Sequence, residues 1–271
     1  MLKNPGILWV CGTPIGNFSD SSHRLSEVLG GVQLVVCEDT RVAGQLLQKL
    51  EIDVPLLSLE KFSEARRLSS VITRLSNGDS VALISDAGTP AISDPGYRLV
   101  AAAGAANIRI KPIPGPNAIT TLLSVAGIPA DQYVFVGFFP RKSAAFLSML
   151  NELRRLQWPV CGFESPNRIL DRLEEVVLLD PDAFVCVGKE LTKTHETIWR
   201  GTAADVLKRL KAATVKGEFA LIIWPSATPA GPIDQFVDEM KAAKVPSAKI
   251  IEIGTRWAGF SRNPLYERVN K

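Results

Sequence analysis

The stretch SVALISDAGTPAISDPG, residues 80 to 96, joins an apolar run to a loop of unusual composition. The run SVALIS is typical of a β-strand that is covered on both faces of a sheet. The loop that follows contains Asp86 and Asp94, two glycines and two prolines, but no lysine or arginine. Ligands of open α/β sheets bind at the carboxyl ends of the strands, so the stretch predicts both a parallel sheet and a ligand site.

Other short apolar runs repeat this strand pattern along the chain. They alternate with segments whose apolar residues recur at helical spacing, such as RVAGQLLQKL and NRILDRLEEVVLL. The alternation predicts two α/β domains in series, residues 1–116 and 117–226, followed by a small helical tail, residues 227–271. The segment PSATPAGP, residues 225–232, predicts a linker. The remaining predicted strands are residues 7–11, 34–38, 108–113, 133–139, 159–164, 183–188 and 219–224.

Three strands of the first half each lead directly into a loop rich in glycine and proline. These loops are CGTPIGN (11–17), SDAGTPAISDPG (85–96) and IPGPNA (113–118). We expect them to meet at one crevice, because the carboxyl ends of parallel strands share one edge of the sheet. The structural alternative is that they are ordinary tight turns, which the same residue types favour.

Composition limits the class of protein. The chain has 271 residues, a formal net charge of +3, four cysteines and two histidines. No apolar run approaches the roughly 20 residues of a membrane span, and the first apolar run is too short for a secretory signal, so we expect a soluble cytoplasmic protein. The cysteines lie in apolar runs without a C-x-x-C pair, which predicts buried free thiols and, with so few histidines, no metal site.

The loops also narrow the class of ligand. GTPIG matches neither the dinucleotide nor the nucleoside triphosphate fingerprint, and Pro14 lacks the backbone donor that a phosphate cradle needs. Aspartates without lysine suit a positively charged ligand rich in hydroxyl and ammonium donors, and S-adenosylmethionine has these properties. A divalent metal is the competing interpretation of Asp86 and Asp94, but their spacing matches no calcium loop.

Nine short segments of the chain resemble those of a known family. The segments that carry the resemblance occur in the order and spacing of a small-subunit ribosomal RNA methyltransferase family of the tetrapyrrole methylase superfamily. The resemblance covers about residues 6–226, and SRNPLYERV is similar to the family's helix-turn-helix-like tail. The segments are TPIGNFSD, CEDTR, SDAGTPAISDPGYRLV, PIPGPNA, GFFPRK, FESPNRIL, GKELTKTHE, RGT and KGE.

The resemblance implies two α/β domains of the tetrapyrrole methylase type with S-adenosylmethionine in the cleft between them. It also implies a homodimer that methylates the ribose 2′-hydroxyl of a cytidine in 16S ribosomal RNA, free or within the 30S subunit. Residues 86–89 would wrap the methionine part of the cofactor, residues 92–94 would lie close by, and PGPNA would close the other side. The implied cofactor residues are Pro14, Ser85, Asp86, Ala87, Gly88, Thr89, Ile92, Ser93, Asp94, Pro114, Gly115, Pro116, Asn117 and Ala118.

One segment departs from the family pattern. Where the family has Ser-Tyr-His-Glu-His-Asn-Glu, this chain has SLEKFSE, residues 58–64, and lacks the tyrosine and both histidines. Smaller changes are Gly12 for alanine, Asn117 for serine and Asn167 for histidine. Two alternatives therefore stay open: a tetrapyrrole (precorrin-type) C-methyltransferase, and a non-catalytic paralogue that binds RNA or the ribosome.

Methyl transfer needs an aligned acceptor oxygen and a group that removes its proton. The candidate catalytic residues are Asp39, Arg41, Lys189 and Glu190. Glu190 is the preferred base, because a carboxylate that follows a buried strand can have a raised pKa. The structural alternatives are that Asp39 caps a helix, that Arg168 pairs with Glu164 and that the lysines are solvated. The candidate RNA-binding residues are Arg141, Lys142, Arg168, Lys193, Arg262 and Arg268.

The tail is too short to be stable alone, so we expect it to dock. Its spacing places Ile250, Ile251 and Ile253 near Trp257, and Ser261 stands where it could cap a short helix. An excess of basic residues at its end favours binding of RNA, and the alternative is a dimerisation or packing element.

Overall fold

The computed structural model describes residues 5–59, 64–226, 233–256 and 259–270. Two five-stranded sheets, each with helices packed on it, are followed by three short helices. This arrangement confirms the predicted fold class of two α/β units with a helical C-terminal segment. In the described ranges, no helix has the length and apolar character that crossing a bilayer requires.

The first sheet is entirely parallel, with the strand order β3-β2-β4-β1-β5. Strand β1 therefore lies between β4 and β5, and the loops that follow these three strands start side by side. The strands are β1 (Ile7–Cys11), β2 (Leu34–Cys37), β3 (Leu56–Ser58), β4 (Val81–Leu83) and β5 (Arg109–Ile113).

Helices cover both faces of this sheet, as the continuous apolar strands predict. Helices α1 (His23–Gly31) and α2 (Thr40–Lys49) pack on one face through residues such as Leu25 and Leu47. Helices α3 (Glu64–Ser76) and α4 (Tyr97–Ala105) pack on the other through Leu75 and Leu99. The central strands β2 and β4 are thereby buried along their whole length, and the other three strands only in part.

The second sheet is mixed, with the order β6-β7-β10-β8-β9. Strand β10 runs antiparallel to β7 and β8, β9 runs antiparallel to β8, and β6 is parallel to β7. The strands are β6 (Val134–Phe138), β7 (Val160–Glu164), β8 (Phe184–Lys189), β9 (Thr197–Thr202) and β10 (Phe219–Trp224). The sequence patterns missed β3 and β9.

The two faces of the second sheet have different partners. Helices α6 (Ser143–Leu153), α7 (Ile169–Leu179) and α8 (Ala203–Lys211) form a core with one face. Helix α5 (Ala118–Ala126) packs on the other face together with Ile15 from the loop after β1. Because α5 packs on the second sheet, we propose that the first domain ends near residue 116, with residues 117–226 and 227–271 as the following domains.

The tail consists of α9 (Ile233–Ala242), α10 (Ser247–Arg256) and α11 (Arg262–Val269). Ile250 is buried in a small core that these helices share, and Ile251 packs against it. Trp257 and the predicted linker residues 227–232 lie outside the described residues, so the predicted contact with Trp257 stays a prediction. Ser261 occupies the N-cap position of α11, but its side chain makes no capping hydrogen bond.

All four cysteines are buried and free, which confirms the prediction. Burial raises the pKa of the Cys11, Cys37 and Cys161 thiols to about 12 and that of Cys186 to about 11. These thiols therefore stay protonated at neutral pH and act as small apolar core residues.

Candidate active site

The three loops that follow β1, β4 and β5 meet in the structure, as predicted. The Thr13 N–H donates to the Gly88 carbonyl at 2.8 Å, and the Gly88 N–H donates back to the Thr13 carbonyl at 3.2 Å. The backbones of Gly12 and Gly115 approach so closely that a Cβ on Gly12 would lie 2.8 Å from the Gly115 Cα. The first and third loops therefore pack backbone against backbone, and Gly88 ties the second loop to the first.

A cavity of about 350 Å³ opens between these loops and the second sheet. We call it the first cavity. The loops after β4 and β5 supply one wall, and residues of β6, β7, β10 and nearby loops supply the other. Phe135 of β6 meets Phe163 of β7 edge to face with ring centroids 5.6 Å apart, and Phe138 meets it in a tilted arrangement at 5.5 Å. All three rings line the cavity.

The charge of the first cavity is one-sided. Asp94, Glu164 and Glu218 line it, while the described lining residues include no lysine, arginine or histidine. Glu164 and Glu218 already form ion pairs with basic residues outside the lining, so Asp94 contributes most of the negative charge that faces the cavity. A cavity of this kind suits a ligand with positive charge and no phosphate. The ammonium and sulfonium groups of S-adenosylmethionine meet this requirement, and the adjoining aromatic wall suits its adenine, so the residues present fit this cofactor.

Contacts between the two halves hold the cleft together. The Asn17 N–H donates to the Thr192 Oγ1 at 3.1 Å. Gly16 lies so close to the second half that a Cβ there would be 2.5 Å from Lys193 Cγ. Ile15 and α5 also pack on the second sheet. These contacts together hold the first loop against the second half of the chain, beside the first cavity.

Eight of the fourteen predicted cofactor residues line the first cavity, and the other six do not. Ser85 is buried, and its hydroxyl is 3.3 Å from both the Ala87 and the Gly88 carbonyl oxygens, so it shapes the loop. The Asp86 Oδ1 accepts a hydrogen bond from the Asp39 N–H at 3.1 Å. The residues that line the cavity are Ala87, Gly88, Thr89, Ile92, Ser93, Asp94, Asn117 and Ala118, and Pro14, Ser85, Asp86, Pro114, Gly115 and Pro116 do not.

The expectation of a raised pKa at Glu190 is wrong. Its carboxylate accepts hydrogen bonds from the Glu218 N–H at 2.8 Å and from the Lys193 Nζ at 3.0 Å. The backbone hydrogen bond from Glu218 is the largest cause that holds the pKa of Glu190 below its ordinary value, and burial opposes it only in part. The neighbouring Lys189 donates to the Thr214 carbonyl at 2.8 Å. Both side chains thus hold the segment before β10, which lines the cavity, and Glu190 itself is not a lining residue.

Asp39 caps a helix, which was the structural alternative for this residue, and Arg41 pairs with it. The Asp39 carboxylate caps α2 by accepting from the Arg41 N–H at 2.8 Å, and it also pairs with the Arg41 guanidinium. The side-chain hydrogen bond from Arg41 lowers the pKa of Asp39 to about 2. A carboxylate this acidic is a poor proton acceptor.

The predicted RNA-binding residues divide into paired and exposed groups. Arg168 donates to the buried Glu164 at 2.9 and 2.6 Å, and Lys193 bridges Glu190 and Glu218. Arg268 pairs with Asp238 at 2.9 Å. The exposed residues are Arg141 and Lys142 at the start of α6 and Arg262 at the start of α11.

The sequence analysis assigned no role to the three phenylalanines that line the cavity. Phe138 belongs to the quoted motif GFFPRK, and its exposed fraction of 62% at the end of a strand is unusual for such a side chain. The sequence signal that could have indicated this site residue is an aromatic side chain at the end of a predicted strand, just before a loop that contains proline.

Comparison with known proteins agrees with this geometry. Residues 8–207 match the family model of the Tetrapyrrole (Corrin/Porphyrin) Methylases. Among solved structures, diphthine synthase superposes with a TM-score of 0.62 at 14% identity, covering 81% of this chain and 89% of its own. A cobalt precorrin-4 methyltransferase superposes with a TM-score of 0.60 at 16% identity, covering 80% and 95%. At such identities these two matches show the fold alone.

Curated relatives are much closer in sequence. The ribosomal RNA small subunit methyltransferase I of Synechocystis sp. is 40% identical over 225 residues, which are 83% of this chain and 80% of the relative. That of Escherichia coli O157:H7 is 37% identical over 273 residues, which are 98% of this chain and 95% of the relative. The chain therefore belongs to the tetrapyrrole methylases and, within them, to the ribosomal RNA small subunit methyltransferase I family.

Proposed function

We propose that this protein transfers a methyl group from S-adenosylmethionine to the ribose 2′-hydroxyl of a cytidine in 16S ribosomal RNA. Membership of the family supports a methyltransferase of small-subunit ribosomal RNA that uses this methyl donor. The observation that carries the proposal is the first cavity, which Asp94 and three aromatic rings line and to which no basic residue of the described part of the chain contributes. The choice of a cytidine ribose rests on the resemblance described above.

The residues that would hold the cofactor come from both halves of the chain. Gly88 and Thr89 from the second loop and Asn117 from the third loop form one wall, and Phe219 and Ala220 of β10 form the other. S-adenosylmethionine, when bound, supplies an electrophilic methyl group on a positively charged sulfur. The chain's own contribution is to hold that charge near Asp94 and to exclude water with the aromatic wall.

The same proposal includes the setting of the reaction. We propose a homodimer that works in the cytoplasm on 16S ribosomal RNA or on the 30S subunit. Exposed Arg141, Lys142 and Arg262 supply positive charge for the RNA backbone in this scheme.

Methyl transfer to three substrates tests the function. Purified protein with radiolabelled S-adenosylmethionine is incubated with 30S subunits, with protein-free 16S RNA and with a precorrin-type tetrapyrrole, and nuclease digestion with mass spectrometry locates any methyl group. We expect a 2′-O-methylated cytidine from an RNA substrate and no product from the tetrapyrrole. A methylated tetrapyrrole, or tight RNA binding without any transfer, would contradict the proposal and favour one of the two alternatives.

The role of the tail leads to a separate prediction on salt dependence. Arg262 is exposed, whereas Arg268 is paired with Asp238, so we expect Arg262 to make the stronger phosphate contact. Arg262→Ala should reduce the slope of log K against log salt by roughly 0.7 to 0.9, the value for one lost phosphate contact. Salt titrations of RNA binding measure the slope. Lys208→Ala on α8 also removes an exposed positive charge and serves as the control. Equal slopes for wild type and Arg262→Ala would leave packing as the role of the tail.

A further inference from the structure

A second cavity lies beside the first. Its volume is about 400 Å³, and it is formed by the loop after β2, the second loop and the start of α4. Leu59, Tyr97, Arg98 and Glu38 line it. None of these four residues was among the predicted site residues, and none lines the first cavity.

The two cavities have two lining residues in common. Among the described residues, only Ser93 and Asp94 line both. Ser93 and the nearby Ala91 both have a φ of 67°, which is uncommon for residues other than glycine, so the loop holds an unfavourable backbone conformation at this point. Methyl transfer needs the methyl donor and the acceptor oxygen in line. A donor in the first cavity and an acceptor in the second would meet beside the two shared residues.

The chemistry of the second cavity suits a nucleoside. Tyr97 is 61% exposed and offers an aromatic surface on which an unstacked RNA base can stack. Carboxylates accept hydrogen bonds from the amino group of cytosine, and Glu38 supplies a carboxylate there. Arg98 brings positive charge to the same cavity, and its Nε donates to the Tyr97 hydroxyl at 3.0 Å. A volume of about 400 Å³ lies within the range of small-molecule sites.

We propose that the second cavity holds the acceptor cytidine, with its base against Tyr97 and its ribose 2′-hydroxyl at Asp94, which is the general base. The inference rests on the proposed function and deepens it, because it assigns the acceptor site and the proton acceptor. It replaces Glu190, whose carboxylate is held by Glu218 and Lys193 away from the lining of either cavity.

The transfer step balances without a further reactant. The acceptor oxygen forms its new bond to the methyl carbon while the bond from that carbon to sulfur breaks, and the bonding electron pair stays on sulfur. The hydroxyl proton passes to the Asp94 carboxylate, from which it leaves to water. The reaction therefore converts the positively charged sulfonium into a neutral thioether and releases one proton, which Asp94 accepts.

The surroundings of Asp94 support this role. Burial raises the pKa of the Asp94 carboxyl, a hydrogen bond with Ser85 opposes the increase, and the charge of Asp86 adds to it. A carboxylate with a raised pKa is a stronger proton acceptor. The other charged or titratable groups that line the two cavities around it are Glu38, Tyr97, Arg98, Glu164 and Glu218.

The first test concerns Asp94. We expect Asp94→Asn to lower kcat for RNA methylation about 100-fold, the loss typical of a missing general base. Because Asp94 also lines the first cavity, kcat is measured at S-adenosylmethionine concentrations that saturate each variant. Activity of the wild type should fall as pH drops through the raised pKa of Asp94, because the protonated carboxyl cannot accept a proton, and this acid limb should be absent in Asp94→Asn. Asp53→Asn makes the same change at an exposed position before the amino end of β3, whereas Asp94 lies beyond the carboxyl end of β4, and it is the control.

The second test concerns Tyr97. We expect Tyr97→Ala to raise KM for the RNA at least about tenfold through the loss of base stacking, while Tyr97→Phe keeps the wild-type KM. An unchanged kcat in Asp94→Asn at saturating S-adenosylmethionine, an acid limb that persists in that variant, or an unchanged KM in Tyr97→Ala would each overturn the inference. If the wild-type protein methylates no RNA at all, the proposed function itself fails, so the two failures are distinguishable.

Discussion

Gly88→Val should weaken S-adenosylmethionine binding roughly 1,000-fold, or about 4 kcal/mol, while the protein stays folded. Gly88 lines the first cavity at the point where the second loop is tied to the first by the paired hydrogen bonds with Thr13. Its φ is +81°, a conformation that a β-branched residue rarely adopts. The valine side chain would occupy space that the cofactor needs and would also strain the loop.

A matched variant separates these two effects. In Gly88→Ala the Cβ would lie 3.5 Å from the Ile15 Cγ2 and 3.8 Å from the Pro116 carbonyl oxygen, both ordinary contact distances. Alanine therefore has the backbone strain, which is about 1–2 kcal/mol for a left-handed residue, without the larger side chain. We expect alanine to weaken binding by no more than about tenfold. Calorimetry measures both affinities, and a Gly88→Val protein that binds the cofactor as tightly as wild type would show that the ligand is held elsewhere.

The sequence predicted most of the sheets because most strands are continuous apolar runs. The two missed strands, β3 and β9, each lie at the edge of a sheet. Strand β3 has only three residues, all half-buried, and β9, TIWRGT, buries only Trp199 fully. The edge strands β5 and β6 were predicted, so the short length of β3 and the polar residues of β9, rather than their edge positions, explain why the pattern missed them.

The sequence predicted the site only where the site is local. The loops after β1, β4 and β5 could be recognised from their composition and position alone. The low pKa of Glu190 depends on the Glu218 N–H, 28 residues further along the chain, and no local pattern shows that contact. The aromatic wall and the second cavity likewise depend on how distant segments pack. Charge pairing at Arg168 was correctly given as an alternative because Glu164 lies four residues before it on the chain.

Arg172→Met should cost about 3–5 kcal/mol of the free energy of unfolding, the range for breaking a buried ion pair. The Arg172 side chain is only 3% exposed, and its Nε donates to the Glu164 Oε2 at 3.0 Å. Its other nitrogens donate to the Pro140 carbonyl at 2.7 Å and to Glu175, and the guanidinium lies 4.0 Å from the centroid of the Phe146 ring. Removing it leaves the fully buried Glu164 carboxylate with a single arginine partner.

Arg168→Met is the matched control, because Arg168 contacts the same carboxylate but is 30% exposed. Removing the Arg168 guanidinium should lower the free energy of unfolding by only about 1 kcal/mol, since water can replace part of the hydrogen bonding of an exposed arginine. Urea denaturation followed by the fluorescence of Trp158, Trp199 and Trp224 would measure both values. Equal losses in the two variants would mean that burial of Arg172 contributes nothing to the pair. A larger loss for Arg172 would show that Glu164, which lines the first cavity, depends on its buried partner, and cofactor binding should then weaken in Arg172→Met as the wall loosens.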